Sequence, residues 1–454
     1  MSRARIGEIV ALAGVVAAQA VLFAQPIRGA TNYDEDVYLA ATDALRHGQA
    51  LGTEVFAAQL PGFYDLLRGL SYVAGLGVVN LRAALLVLVG LGTAGGWLVG
   101  RRFGGPVGGF LVAALLTVAP PLDLFGSQVI ADTPCLSLML LSLGVATLPG
   151  TAAALAAGLI FGAALSVKLT ALTVLPALAW FVGRRAPAAL AGALAVVLGE
   201  AAAHASALTA LWASAVTYHR RAGSTPAVIP NPHREIVGQI PHSTPFFALG
   251  LAGIAIAVLA GRRLLPRVWP LWLWVGLSVI FLLVYKPIHY NHLIVFPFTL
   301  AVAAGASLGA ALRLLPGHRV RLAAVGVVTV ALAAGWVQQL HRVDSQREPQ
   351  PKSNLAAARA LARLTPPGAL VADDRPIISF LARRRVIGQL VDTAYLRFET
   401  GSLTDARVIR DLQTADAVVV SRSLAGRAKV LAFVARHYRV RYRAGGVTIW
   451  IRRR

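Results

Sequence analysis

Apolar stretches about as long as a bilayer is thick recur along the first three quarters of the chain. Most are closed by arginine pairs or by Pro-Gly turns, and on this pattern membrane-spanning helices are expected at about 8–25, 81–100, 106–122, 133–148, 152–166, 169–183 and 187–204. Four more follow: one ending at Arg262-Arg263, then about 268–285, 292–312 and 320–337. Two long polar segments, about 26–80 and 205–245, interrupt the series. In the first of these, 37–46 and 63–73 read as amphipathic helices. No small-residue cleavage site precedes the first acidic cluster, so the first apolar segment reads as a retained helix rather than a signal peptide.

Beyond residue 338 the pattern changes. Helical periodicity at 354–364, 405–412 and 425–437 alternates with short apolar runs at 369–372, 386–391 and 417–420. Runs at 440–442 and 447–451 flank Gly445-Gly446 and predict a terminal hairpin. The expectation is an all-α polytopic membrane domain over 1–337, with about eleven transmembrane helices, and a small α/β domain over 338–454. The small domain shows neither a Gly-rich phosphate loop nor metal-ligand spacing, so it reads as structural or accessory.

Composition agrees with the class: 57% hydrophobic, 14% charged, mean hydropathy +0.66. A net charge of +23 would suggest nucleic acid in a soluble protein. Here the arginines sit between apolar segments instead. Arg3, Arg5, Arg101, Arg102, Arg184, Arg185, Arg262, Arg263, Arg267, Arg313, Arg319 and Arg321 all fall on one side of the predicted map. The positive-inside rule makes that side cytoplasmic. An odd number of spans then puts the C-terminal domain on the extracytoplasmic side of the cell membrane. The single cysteine, Cys135, excludes an internal disulfide.

Candidate chemistry follows from where the acids lie. The first 336 residues hold eleven: Glu8, Asp34, Glu35, Asp36, Asp43, Glu54, Asp65, Asp123, Asp132, Glu200 and Glu235. All but Glu8 map to the outer face, and three of them stand together in Asn32-Tyr33-Asp34-Glu35-Asp36-Val37-Tyr38. Acids gathered at one face of a membrane protein point to acid/base or cation chemistry there. Asp34, Glu35 and Asp132 are candidates for a general base. The plainer readings are a cap by Asp36 on a helix starting at Val37, and a cap by Asp132 or Thr133 ahead of Pro134.

Only four of the 43 basic residues are lysines: Lys168, Lys286, Lys352 and Lys429. Lys168 and Lys286 map to outer membrane ends, where a point charge suits an anionic lipid head group, or where the side chain simply snorkels. Tyr285-Lys286-Pro287-Ile288-His289-Tyr290-Asn291-His292 and Tyr218-His219-Arg220-Arg221 concentrate further polar and aromatic side chains. A metal site from His219, His289 and His292 is conceivable, but the spacing is unspecific.

At these positions the chain resembles the polytopic GT-C glycosyltransferases that use polyprenyl-phosphate-linked sugars, among them the lipid A aminoarabinose transferases and protein O-mannosyltransferases. The matching pieces are Tyr33 to Tyr38, Pro61-Gly62-Phe63-Tyr64, Ala131-Asp132-Thr133-Pro134, the stretch Gly162 to Thr170 around Lys168, and Tyr290-Asn291-His292 through Phe296-Pro297. The resemblance implies Asp34 as base or acceptor-orienting group, with Glu35 and Asp132 as its acidic companions. It implies Lys168 at the lipid phosphate, helped by Arg220 or Lys286, with Tyr33, Tyr38, His219, His289 and His292 as substrate contacts. Asp36 stands where many members have glycine, and Gln59-Leu60-Pro61-Gly62 replaces a His or Glu before paired prolines.

The expected activity is transfer of a sugar from a polyprenyl-phosphate donor to a lipid, glycan or protein acceptor at the outer face. It needs no nucleotide loop and no cofactor, and a divalent metal is compatible but not demanded. The alternatives are a transporter or flippase for a lipid-linked or polar solute, which would place ionisable groups at mid-membrane, and a non-enzymatic scaffold.

Overall fold

The computed structural model describes residues 3–225, 232–238, 240–344 and 348–453. Parts of the predicted second polar segment, 226–231 and residue 239, lie outside the described residues. The chain divides into two compact units. One comprises Met1–Ile27, Arg82–Glu200 and Val228–Arg347; the other comprises Arg28–Leu81, Ala201–Ala227 and Glu348–Arg454.

The first unit is helical. Among the described residues of the chain, six helices are long and apolar enough to cross a membrane: Arg5–Arg28, Val78–Thr117, Leu169–Ala203, Leu265–Val284, Tyr290–Leu314 and His318–Asp344. Asp132–Ala146, Thr151–Val167 and Thr244–Leu259 are shorter and equally apolar. The two longest runs are broken where the sequence shows basic pairs. Gly105 (φ 60°) interrupts Val78–Thr117 just after Arg101-Arg102, and Gly183 (φ 51°) precedes Arg184-Arg185. Both glycines adopt the left-handed backbone that side chains disfavour.

Helices in this unit approach closely at small residues. A Cβ on Gly144 would lie 2.5 Å from Gly95 Cα, and one on Gly104 would lie 2.5 Å from the Gly309 carbonyl carbon. Apolar side chains gain little by leaving lipid for protein, so close backbone approach and dispersion carry much of this association. Arg185 closes two helix ends at once. Its guanidinium donates to the carbonyls of Ala146, Leu148, Gly150, Phe181 and Val182, satisfying groups a helix C-terminus leaves unpaired. Arg101 Nε lies 2.7 Å from Glu8 Oε2, so the single acid mapped to the N-terminal side meets a basic pair.

The second unit is built on a five-stranded sheet of order β2-β1-β3-β5-β4. Its strands are β1 (Leu370–Asp373), β2 (Arg385–Val386), β3 (Ala417–Val420), β4 (Tyr438–Ala444) and β5 (Val447–Arg452). β1 pairs in parallel with β2 and β3, while β5 lies antiparallel between β3 and β4. Helices Lys352–Leu364, Asp405–Leu412 and Ala428–His437 stand where periodicity places them. The run 386–391 differs from expectation: only Arg385 and Val386 pair with β1, and Gly388–Leu390 forms a 3-10 turn. The chain leaves the sheet because Gly388 O accepts the amide of Phe56 at 3.1 Å, and a Cβ there would lie 2.5 Å from Glu54 O. The first polar segment therefore packs within the same unit as the small domain. Its two helices, Tyr33–Arg46 and Pro61–Ala74, begin before the predicted amphipathic stretches.

Candidate functional site

In the first unit, two sequence-distant residues converge on the carboxylate of a third. Lys168 Nζ donates to Asp132 Oδ1 at 2.6 Å, and Asn291 Nδ2 donates to Asp132 Oδ2 at 3.0 Å. The Lys168 side chain is 8% exposed and that of Asp132 1%. The placement follows from three helix ends. Asp132 opens the helix Asp132–Ala146, and Asn291 lies in the 3-10 turn Tyr290–Ile294 that opens the next long helix. Lys168 is the extended residue (φ −159°, ψ 138°) between Thr151–Val167 and Leu169–Val174.

Two of the plainer readings do not hold. Asp132 is not a helix cap: Ala131 holds that position, without a side-chain cap. Lys168 does not snorkel, since its ammonium is buried against a carboxylate. A buried charge pair costs desolvation on both partners and persists only with good geometry and further hydrogen bonds. Asn291 supplies one. It lies inside a motif the sequence singles out but was not itself a predicted site residue.

Beside Asn291, the two histidines cap the 3-10 turn reciprocally. His292 Nδ1 accepts the His289 amide at 3.2 Å, and the His289 ring accepts the His292 amide. Tyr285 stacks edge-on against His292 with ring centres 5.2 Å apart. Lys286 is exposed, and Tyr290 donates to Glu235 Oε2 at 3.1 Å.

In the second unit, the acidic triplet lies in the first turn of Tyr33–Arg46 rather than in a loop ahead of it. The N-cap is Asn32, whose Oδ1 accepts the Glu35 amide at 2.9 Å, so Asp36 does not cap. Carboxylates in a first turn are favoured by the helix dipole. Asp34 is half-buried, not exposed as a solvated turn would be; Glu35 and Asp36 are buried. Asp36 receives the Thr31 hydroxyl, which accepts in turn from Gln350 Nε2 at 2.7 Å. Burial pushes the Asp36 carboxyl well above its usual value. The Thr31 hydrogen bond opposes this, while the charges of Glu35 and Asp373 add to it.

The predicted aromatic contacts are committed locally. The Tyr38 hydroxyl accepts from Gln59 Nε2 at 3.0 Å, and its ring meets Phe63 edge-on at 4.9 Å. The Tyr33 hydroxyl donates to Asp392 Oδ1 at 3.0 Å and accepts the Thr393 amide at 2.9 Å. His219 Nε2 donates to Ala58 O at 2.7 Å, so that nitrogen carries a proton. His219 and the exposed Arg220 follow a π-helical turn, Ala213–Thr217, a device that often re-aims side chains at functional positions.

A divalent cation needs converging ligands with lone pairs to spare. Asp132 is already engaged through both oxygens, by Lys168 and Asn291. Asp65 Oδ2 and His204 Nε2 lie 2.7 Å apart in the second unit. A carboxylate and an imidazole are ligand types such an ion accepts.

No protein-family profile matches the chain, and no curated protein matches it. Solved structures do. ArnT from Cupriavidus metallidurans in the apo state aligns with a TM-score of 0.70 and 14% identity, over 99% of this chain and 98% of that one. The same protein bound to undecaprenyl phosphate gives 0.67 and 16%, over 97% of each chain. The oligosaccharyltransferase AglB from Archaeoglobus fulgidus, in complex with an inhibitory peptide and a dolichol-phosphate, gives 0.59 and 12%, over 100% of this chain and 75% of its own. At these identities the likeness is one of architecture, and the chain has the polytopic GT-C fold with a small C-terminal α/β domain.

Proposed function

We propose that this chain is a membrane glycosyltransferase that moves a sugar from a polyprenyl-phosphate donor to an acceptor at the outer face of the cell membrane. The buried Lys168–Asp132–Asn291 constellation carries the reading, in a chain whose fold is shared over nearly its whole length with an undecaprenyl-phosphate-bound protein. An ammonium has three donors, and among the described residues Asp132 takes one of those of Lys168. The other two suit a phosphate oxygen. Asp132 and Asn291 hold the ammonium in place, so stabilising the departing phosphate requires no reorganisation at the moment of reaction.

In the proposed reaction the bond between the anomeric carbon and the phosphate oxygen breaks. The leaving polyprenyl phosphate takes the electron pair, neutralised by Lys168 with Arg220 or Lys286. The acceptor hydroxyl attacks the anomeric carbon from the opposite side, inverting it, and gives its proton to Asp34. Glu35 supports Asp34 in the same helical turn. A divalent metal is compatible with the chain, and the reaction does not demand one. The C-terminal domain is assigned to the extracytoplasmic side on the arginine distribution.

Profiling of lipid-linked intermediates in cells with and without the gene tests this reading. Loss of the gene should cause a polyprenyl-phosphate sugar to accumulate and one envelope glycan or glycolipid to disappear. Unchanged pools of both would overturn it.

A further inference from the structure

Tyr33 stands immediately before the candidate base, and its hydroxyl bonds into the C-terminal domain. Its hydroxyl is enclosed between a carboxylate and a backbone amide, Asp392 and Thr393. Asp392 is itself fixed: its Oδ1 accepts the Ala394 amide at 2.8 Å, and its carbonyl accepts from the buried Arg397. Arg397 also donates to Gln389 O at 2.8 Å and lies 3.5 Å above the Phe56 ring. On the other side of Tyr33, the Arg422 guanidinium lies 4.5 Å from the ring centre. The Arg422 amide is anchored on the buried Asp374 carboxylate at 2.7 Å. Burial first, then the Asp392 charge, raises the Tyr33 phenol well above its usual range, so it stays a donor.

The rest of the helix is held the same way. Ala30 donates its amide to Glu348 O at 2.8 Å, and Gln350 bonds Thr31, which bonds Asp36. Helix Ile377–Leu381 packs against Tyr33–Arg46. These contacts join the acid-bearing helix and the residues just before it to different pieces of the small domain.

We infer that Tyr33 is a positioning residue and that the C-terminal domain, through Asp392 and Arg422, sets the orientation of the helical turn that presents Asp34. The inference rests on the assignment of Asp34 as base. It gives the small domain a part in catalysis without a substrate contact of its own. A displacement near 1 Å at a reacting group can cost about a hundred-fold in rate, so loosening this clamp should act on turnover.

The test compares Tyr33→Phe, Asp392→Asn and Asp34→Asn, singly and combined, in the full-length protein. The assay follows release of undecaprenyl phosphate from an undecaprenyl-phosphate-linked sugar. Tyr33→Phe keeps the ring and its cation contact and removes only the hydroxyl. It should lower kcat roughly ten- to hundred-fold with KM for the donor little changed. Asp392→Asn should do the same, and the pair together should cost no more than either alone. Added to Asp34→Asn, Tyr33→Phe should cost nothing further. A raised KM with unchanged kcat would make Tyr33 a substrate contact and overturn the inference. So would wild-type kcat in both Tyr33→Phe and Asp392→Asn while Asp34→Asn is inactive. Full activity of Asp34→Asn would instead overturn the assignment of the base, a separate outcome.

Discussion

Lys168 Nζ lies 2.6 Å from Asp132 Oδ1, and neither side chain is more than 8% exposed. Removing one partner leaves an uncompensated buried charge, so Lys168→Ala and Asp132→Ala should each destabilise the protein by about 3–5 kcal/mol. Replacing both together, as Lys168→Met with Asp132→Leu, should restore most of that stability while leaving the protein inactive. Thermal unfolding in detergent with activity measured on the same samples separates the two effects. An active double variant would show the pair to be structural only.

Gly144 tests the close packing of the first unit. A Cβ there would lie 2.5 Å from backbone atoms of Gly95, which cannot swing aside as a side chain can. Gly144→Ala should destabilise by roughly 1–3 kcal/mol. Gly199 has nothing within 4 Å of its would-be Cβ and lies in the helix Ala186–Ala203. Gly199→Ala should be neutral, or stabilising by up to about 1 kcal/mol. Detergent melting curves of the two variants should move in these different directions.

Asp373 predicts a pH dependence in the small domain. Burial pushes its carboxyl up to about 7, against hydrogen bonds from Ser379 and the Arg375 amide. A group whose folded pKa is raised stabilises the fold while protonated. That contribution is complete below its ordinary value of 3.8 and is lost as pH rises through about 7. It amounts to roughly 4 kcal/mol at most. Hydrogen exchange of the β1 and β3 amides in the full protein should therefore quicken between about pH 4 and 7 beyond the intrinsic pH effect, and level off above that. Asp373→Asn should flatten that limb.

Topology is tested by single cysteines at positions 102, 184, 263 and 405, since the native Cys135 is buried. Position 184 is preferred to its neighbour because Arg185 caps two helix ends while Arg184 is exposed. A membrane-impermeant maleimide applied to intact cells should label 405 alone. Labelling at 102, or protection at 405, contradicts the map.

Much of the architecture could be read from the sequence because its signals are local. Apolar runs ending in arginine pairs mark the membrane helices, and Gly445-Gly446 marks the hairpin of β4 and β5. What the sequence could not give depended on tertiary partners. The run 386–391 has strand composition, yet Gly388 is drawn off the sheet by Phe56, more than 300 residues earlier. Asp36 reads as a cap if the helix starts at Val37, but the helix starts at Tyr33, and the Asn32 side chain caps it through the Glu35 amide. Lys168 and Asp132 could each be singled out, but their pairing and Asn291's share in it are long-range. The resemblance implies Tyr33 as a substrate contact, and the sequence does not show where its hydroxyl bonds. Its partners, Asp392 and Thr393, carry no local signal.

The proposed reaction is sugar transfer from a lipid phosphate with Asp34 as base. The direct measurement incubates purified protein with undecaprenyl-phosphate-linked pentose or hexose, labelled in the sugar, and membranes from cells lacking the gene. Wild type should move label from the donor into an acceptor fraction and release undecaprenyl phosphate. Asp34→Asn, folded to the same melting temperature, should do so 10²–10⁴-fold more slowly, the usual cost of losing a general base. Donor left intact by the wild type, or equal transfer by Asp34→Asn, would contradict the account.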